Sequence, residues 1–504
     1  MKDSKSILLS LSLGFLFSLL FYNQNLGLNL AIYEIICFSV LIFTRKIDFS
    51  NSLMKFALIS QGITLLSILY NYSVISIFVH MLFVILSIGV LVYPSVKSVF
   101  YAMFFAMYSM FSTPYHLLLR FIGVFKYQKI NGKSIWKYKF YIIPSLIILI
   151  FILIYKNASP QFQSLILPIE VFIIKYLPNI WEYINADYIA ILFIGIIGSA
   201  FLFINTISGI LKPLEDQSVE HVVRLKNKSV EDISTLSLKK ELKSGLFLLG
   251  ILNVILLIVN SFDVYSVWFN FKWNGEYLKQ FVHEGTYLLL LSIILSAIIV
   301  LYYFRRNQNF YANSKALKTL SYIWIAQNIL LCISVAIRNY WYIDYFNLAY
   351  KRIGVFVFLL LAIYGLYTIF LKVKFRRSNY YLIRKNSYAL ALLLLITSLF
   401  NWDVIITKYN FKHANHAFIH FDYLVNMSPK ALPYLDKSLE ELQTIEKNQS
   451  AIFKDSNTYM SAQDFYLIVQ NHKRQFISDY SKQRTLSWNY SDQKTARLLL
   501  KINE

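Results

Sequence analysis

The chain has 504 residues, 57% of them hydrophobic and 15% charged, where a soluble domain carries about 25% charged residues. Its formal net charge is +22, but the lysines and arginines mostly flank long apolar runs, which points to bilayer orientation and anionic headgroups rather than to nucleic acid. Two cysteines, Cys37 and Cys332, both inside apolar runs, leave no disulfide framework and no CxxC metal or redox motif.

The apolar runs are about 16 to 25 residues long, the length that crosses a hydrocarbon core of about 30 Å. Taken in order, they predict an all-α polytopic bundle with spans at 7–22, 28–43, 54–70, 74–92, 140–156, 187–211, 246–262, 285–304, 317–337, 353–372 and 386–402. The first run resembles a signal peptide, but no small-residue cleavage site follows and a second span comes at once, so it reads as a retained helix. Ser98–Leu119 would be a twelfth crossing, interrupted by Pro114 and His116. Charge decides against it. With 98–125 lying as an interfacial or re-entrant segment, 29 Lys and Arg fall in the inner loops and 7 in the outer loops, the asymmetry that the positive-inside rule demands. The N-terminus is then cytoplasmic and 212–245 is a charged cytoplasmic linker. Residues 158–186 form an amphipathic outer loop, and 403–504 form a small periplasmic tail with helical patches.

That sidedness brings acid, base and amide groups to one outer rim. Asp263 ends one span, His283 and Glu284 precede the next, and Arg338 ends another. Lys351 and Arg352 precede the following span, and Asp403 follows the last one. Arg338–Arg352, "RNYWYIDYFNLAYKR", holds six aromatics and four charges. It reads first as an interfacial collar, in which Asp344 would pair with Arg338 or Arg352, and second as a binding site. Gln327, Leu331, Ser334 and Arg338 share one helix face, and so do Asn253 and Asn260, seven apart. Polar groups at that depth should face the bundle.

Glu34 lies within a span, with His80 as its candidate titratable partner. It reads first as a glutamate locking helix packing and second as a relay. His413, His416 and His420 would share a face if helical and then offer imidazoles to a metal, although no Cys or HExxH element accompanies them. His283 beside Glu284 offers an acid–base pair, too little to name a reaction. Walker A, GxGxxG, GxSxG and kinase motifs are absent, and nothing in the sequence calls for a cofactor.

The strings "EYLKQFVHEGTYLLLLSIILSAIIVLYYF", "SYIWIAQNILLCISVAIRNYWYIDYFNLAYKRIGVFVFLLLAIYGL" and "NWDVIITKYN…HFDYLVNMSPKALPYL" resemble bacterial polytopic inner-membrane proteins grouped only as a domain of unknown function (DUF4173 or DUF4153). "LFYNQNLGLNLAIYE" and "NASPQF" are similar to that family too. The resemblance covers roughly 7–435. It implies a multi-pass bacterial inner-membrane protein and supplies no activity, cofactor or catalytic residue.

Three functions compete. The first is a non-enzymatic envelope sensor or scaffold whose outer face binds a protein partner or lipid headgroup. The second is a transporter or lipid flippase using Glu34, Asn253, Gln327 and Arg338. The third is a membrane enzyme acting on lipid-linked substrates, with His283 and Glu284 as acid and base and the Arg338, Lys351 and Arg352 cations holding phosphate or carboxylate.

Overall fold

A computed structural model describes residues 2–44, 50–127, 148, 152, 159–176, 186–204, 212–224, 235–271, 275–452 and 460–501. The expected span at 140–156 lies almost wholly outside these residues. The regular structure described is helical: α1 Lys2–Phe21, α2 Leu28–Thr44, α3 Ser52–Asn71, α4 Val74–Val92, α5 Val99–Tyr127, α6 Pro160–Tyr176 and α7 Ala186–Phe203. There follow α8 Thr235–Asp263, α9 Gly275–Tyr303, α10 Lys315–Phe346, α11 Tyr350–Phe375, α12 Asn379–Ser398 and α13 Trp402–Lys412. The C-terminal region adds α14 Leu439–Ile452, α15 Ala462–Ser481 and α16 Tyr490–Lys501, with short helical turns between.

Seven described helices are long and apolar enough to cross a membrane, and eight if α12 and α13, bent by 63° at their junction, make one span. Among the described residues the count is therefore seven or eight, against the eleven expected for the whole chain. The apolar helix α2 is 17 residues long, or about 26 Å of rise, and α9 runs for 29 residues through the expected span at 285–304. Several boundaries also move. α8 begins at Thr235, inside the expected linker, and α10 runs on to Phe346 through most of the expected collar. α5 is one helix of 29 residues through Pro114. α6 makes part of the expected outer loop helical.

The chain divides into two compact units, Met1–Asp48 with Phe105–Ile207, and Phe49–Phe104 with Ser208–Glu504. In the first, α1 packs on α7 through small residues. A Cβ on Gly195 would lie 2.7 Å from the Gly14 carbonyl oxygen and 2.8 Å from Phe17 Cβ, so glycine is what lets the backbones meet. Ser199 Oγ donates to the Ser10 carbonyl across this crossing (2.8 Å), and Ser18 Oγ donates to Tyr188 (3.0 Å).

In the second unit, α3 and α4 form a hairpin. Asn51 caps α3 by accepting from Leu53 N (2.8 Å), Tyr72 takes the left-handed conformation (φ 46°), and Ser73 and Ser76 form a capping box. These are the local signals that stop one helix and start the next. Helices α8 to α12 share a core of Leu249, Ile293, Phe304, Leu331, Val335, Leu366 and Val373. Residues 402–501 hold a second core, built on Ile406, Phe421, Leu432, Leu442, Phe465 and Leu499. The tail is thus a packed helical body rather than isolated patches. Its core extends onto Leu348, Tyr350 and Ile353 of the bundle.

Candidate functional site

Helices α8 and α10 run parallel, and their polar residues meet at sequence offsets of 67 and 74, one heptad apart. Asn253 Nδ2 donates to the Leu249 carbonyl of its own helix (2.7 Å) and to the Leu320 carbonyl across the interface (3.1 Å). Asn260 Nδ2 donates to the Gln327 carbonyl (3.1 Å). In return, Gln327 Nε2 donates to Asn253 Oδ1 (2.8 Å) and to its carbonyl (3.2 Å). Seven residues are nearly two helical turns, so a seven-residue repeat on each helix keeps the same faces in contact. Asn253 and Asn260 are buried, as their depth demands.

Toward the helix C-termini, α8 opens into a wider π-helical turn, Val264–Phe269. Here Trp268 Nε1 donates to Ser334 Oγ (2.8 Å) and Trp341 Nε1 to the Val267 carbonyl (3.0 Å). Arg338 Nη2 donates to Asp263 in an ion pair whose side chains are each 7% exposed. Arg338 is one of the two cations offered to Asp344, and the parallel packing of α8 brings it Asp263. The Asn260 Oδ1, Asp263 Oδ2 and Gln327 Oε1 oxygens are buried without a donor among the described residues. These oxygens leave hydrogen-bond acceptor sites inside the seam.

The aromatic stretch turns from α10 into α11 and holds the C-terminal body. Asn347 sits at φ 65°, ψ −176°, a conformation nearly confined to glycine. It is held from both sides. Its Nδ2 donates to the Phe418 carbonyl (3.1 Å), and Arg352 Nη1 donates to its carbonyl and to that of Phe346 (2.6 Å). Arg352 also lies over the Tyr342 ring, 4.5 Å from its centroid. Phe418 N donates to the Tyr345 carbonyl (2.7 Å). Asn410 clamps Leu348 at both its N–H (2.8 Å) and its carbonyl (3.0 Å). Asp403 accepts from Tyr350 Oη (2.7 Å) and Ser428 N (3.3 Å), while Tyr350 N donates to Tyr423 Oη (3.1 Å). Burial first, then the nearby Asp403 carboxylate, holds the Tyr423 phenol above its usual range. Lys351 points outward and is exposed. At the same end, Ser67 donates to the Ser398 carbonyl (2.5 Å) and Asn71 to the Leu399 carbonyl (2.6 Å), tying the α12–α13 bend to α3.

A cluster that the sequence reading did not single out lies at the far ends of these helices. Glu215 accepts from Tyr380 Oη (2.6 Å) and Lys97 N (2.8 Å). Asp216 accepts from Tyr93 Oη (2.5 Å). Glu220 pairs with Arg384 (2.5 Å) and Arg377 (3.5 Å), and His221 meets Arg377 (2.7 Å). Buried Lys372 donates to the Arg377 carbonyl (3.0 Å) and Asn379 Oδ1 (2.9 Å). The expected linker is therefore strapped onto the α11–α12 turn over 212–224. The signal was present as charge complementarity between "EDQSVEH" and "KVKFRRSNYYLIRK".

His80 Nδ1 meets Thr64 Oγ1 (3.0 Å) in the second unit, whereas Glu34 belongs to the first, near Tyr33 and Cys37. The three tail histidines do not share a helix face. α13 ends at Lys412, His413 Nδ1 lies 2.8 Å from the Tyr409 carbonyl, and residues beyond it turn and extend. Among the described residues, no three His, Cys, Asp or Glu side chains come together as metal ligands. His283 and Glu284 are carried by α9, but their side chains lie outside the described residues.

A family model described as "Domain of unknown function (DUF4153)" matches residues 35–438. No curated protein and no solved structure matches the chain.

Proposed function

The chain belongs to the DUF4153 family of domains of unknown function, and from that premise we propose that it is a non-enzymatic membrane sensor or scaffold of the bacterial inner membrane. In this reading its C-terminal body is the binding module, facing the periplasm, and takes a protein partner or a lipid headgroup. One observation carries the reading: residues 402–501 are hydrogen-bonded into the α10–α11 turn at Tyr345, Asn347, Leu348 and Tyr350. A module fixed in this way passes a push or pull directly to two long helices. The far ends of that same bundle carry the 212–224 strap, a surface for a second partner on the other side. Crosslinking in intact membranes followed by affinity capture tests the reading. Partners should be recovered through the C-terminal body and lost in Asn410→Ala, which removes the Leu348 clamp. Failure to recover any reproducible partner, protein or lipid, would sink it.

Transport is the second reading. It is favoured by the buried acceptor oxygens of Asn260, Asp263 and Gln327 that lack a donor among the described residues. Such oxygens inside a bundle are default candidates for a proton or ion path. If transport is the function, Asp263→Asn and Gln327→Leu should each reduce proton-coupled flux in vesicles. Unchanged flux in both removes this reading.

A further inference from the structure

Where α3 ends and α16 begins, two cavities adjoin. One is a cleft of about 180 Å³ with Asn71, Asn401, Ser491, Lys494 and Thr495 on its walls. The other is an open apolar groove of about 570 Å³ along the outer face of α3, lined by Ile63, Leu66, Leu69, Leu399 and Trp488. Tyr70, Asn71 and Tyr490 border both. The Tyr70 and Tyr490 rings stack at the junction, with centroids 5.0 Å apart and planes 13° apart. We propose that this continuous site holds one anionic phospholipid of the surrounding bilayer, with its headgroup in the cleft and an acyl chain along α3.

Three features select that occupant. The groove lies on a helix apolar enough to cross a membrane, and Leu66 is 65% exposed, so hydrocarbon is its natural neighbour. The junction carries tyrosines and Trp488, the residues that settle at the headgroup level. Charge in the cleft favours an anion. Lys430 is committed to Asp492 (2.5 Å), but exposed Lys494 makes no ion pair among the described residues. Ser491 and Thr495, four apart on the first turns of α16, share a face with Lys494 adjoining. A cation flanked by hydroxyls is suited to a phosphodiester oxygen. The inference rests on the proposed function and narrows it, because it gives the lipid-headgroup branch a place and a charge.

The test uses the full chain in nanodiscs, either of phosphatidylcholine or of phosphatidylcholine with added phosphatidylglycerol. The photoreactive diazirine is carried on the acyl chain of one lipid at a time. Crosslinked peptides should map to 63–70 and 488–495, more strongly for phosphatidylglycerol by about fivefold, the effect of one basic side chain at an anionic surface. Lys494→Gln should abolish that headgroup preference without changing thermal unfolding. Leu66→Trp, which fills the groove, should lower labelling by both lipids there. Equal labelling by the two headgroups, labelling no stronger than at lipid-facing Leu257 and Ile294, or a headgroup preference intact in Lys494→Gln each overturns the proposal. A protein crosslinked through the groove in place of lipid does the same. Hydrogen exchange at Leu348 and Phe418 separates the two failures. If those amides are protected while lipid labelling fails, only the lipid proposal falls; if they exchange freely, the anchored-module reading falls as well.

Discussion

Arg338 and Asp263 place opposite charges on parallel helices with almost no water around them. Removing one partner strands the other charge, whereas removing both leaves room for apolar packing. Asp263→Ala should therefore destabilise the second unit by about 3–5 kcal/mol. Arg338→Met with Asp263→Leu should lie within about 1 kcal/mol of the parent or above it. Denaturant unfolding in detergent, followed by Trp fluorescence, measures both. Asn347 is a second single-residue case. Its backbone conformation costs an ordinary residue on the order of 1–3 kcal/mol, and its side chain offsets part of that through Phe418. Asn347→Ala loses the bond and keeps the strain, while Asn347→Gly loses the bond and relieves the strain. The glycine variant should thus be the more stable of the two by about 1–2 kcal/mol, read from the same unfolding curves.

At the scale of elements, the α8–α10 pair is held by amides in a heptad register rather than by a greasy seam alone. Within a bilayer there is little hydrophobic drive between helices, and side-chain hydrogen bonds specify which faces meet. Asn253→Leu and Gln327→Leu should each cost little, because such bonds average about 0.6 kcal/mol and reach about 1.7 kcal/mol. Their double-mutant cycle should return a coupling in that interval. A coupling of zero would mean that the two amides do not recognise each other. The same logic explains the turn into α11. Of the aromatic residues that sequence alone assigns to a collar, Tyr350 is hydrogen-bonded into the C-terminal body through its side chain and Tyr345 through its carbonyl, while Trp341 stacks on Phe271, so this connection also works as a seat.

For the molecule as a whole, α11 gives the simplest ruler. Lys351 lies at its start and Lys374 near its end, and both are exposed. Twenty-three residues of helix separate them by about 35 Å, enough to clear the hydrocarbon core. In intact cells, Lys351→Cys should react with an impermeant maleimide and Lys374→Cys should react only after lysis. The reverse pattern would invert the proposed sidedness, and both residues reacting from one side would deny that α11 crosses.

By itself the sequence determined the material of this protein and predicted its direction. Apolar run length located most of the helices, and the lysine and arginine bias predicted which ends gather together. The spacing of Asn253, Asn260, Gln327 and Ser334 told which face each would turn inward. These signals are local: hydropathy adds up along the chain, and helical periodicity acts within a few turns. Only the tertiary structure decided the partners. Arg338 meets Asp263, His80 meets Thr64, and the histidines of "HANHAFIH" leave the helix where α13 stops at Lys412. The 212–224 strap and the core of 402–501 belong to the same class. Each depends on how distant helices cross and on their register, and residues dozens to hundreds of positions apart fix that jointly, so no window of sequence contains it.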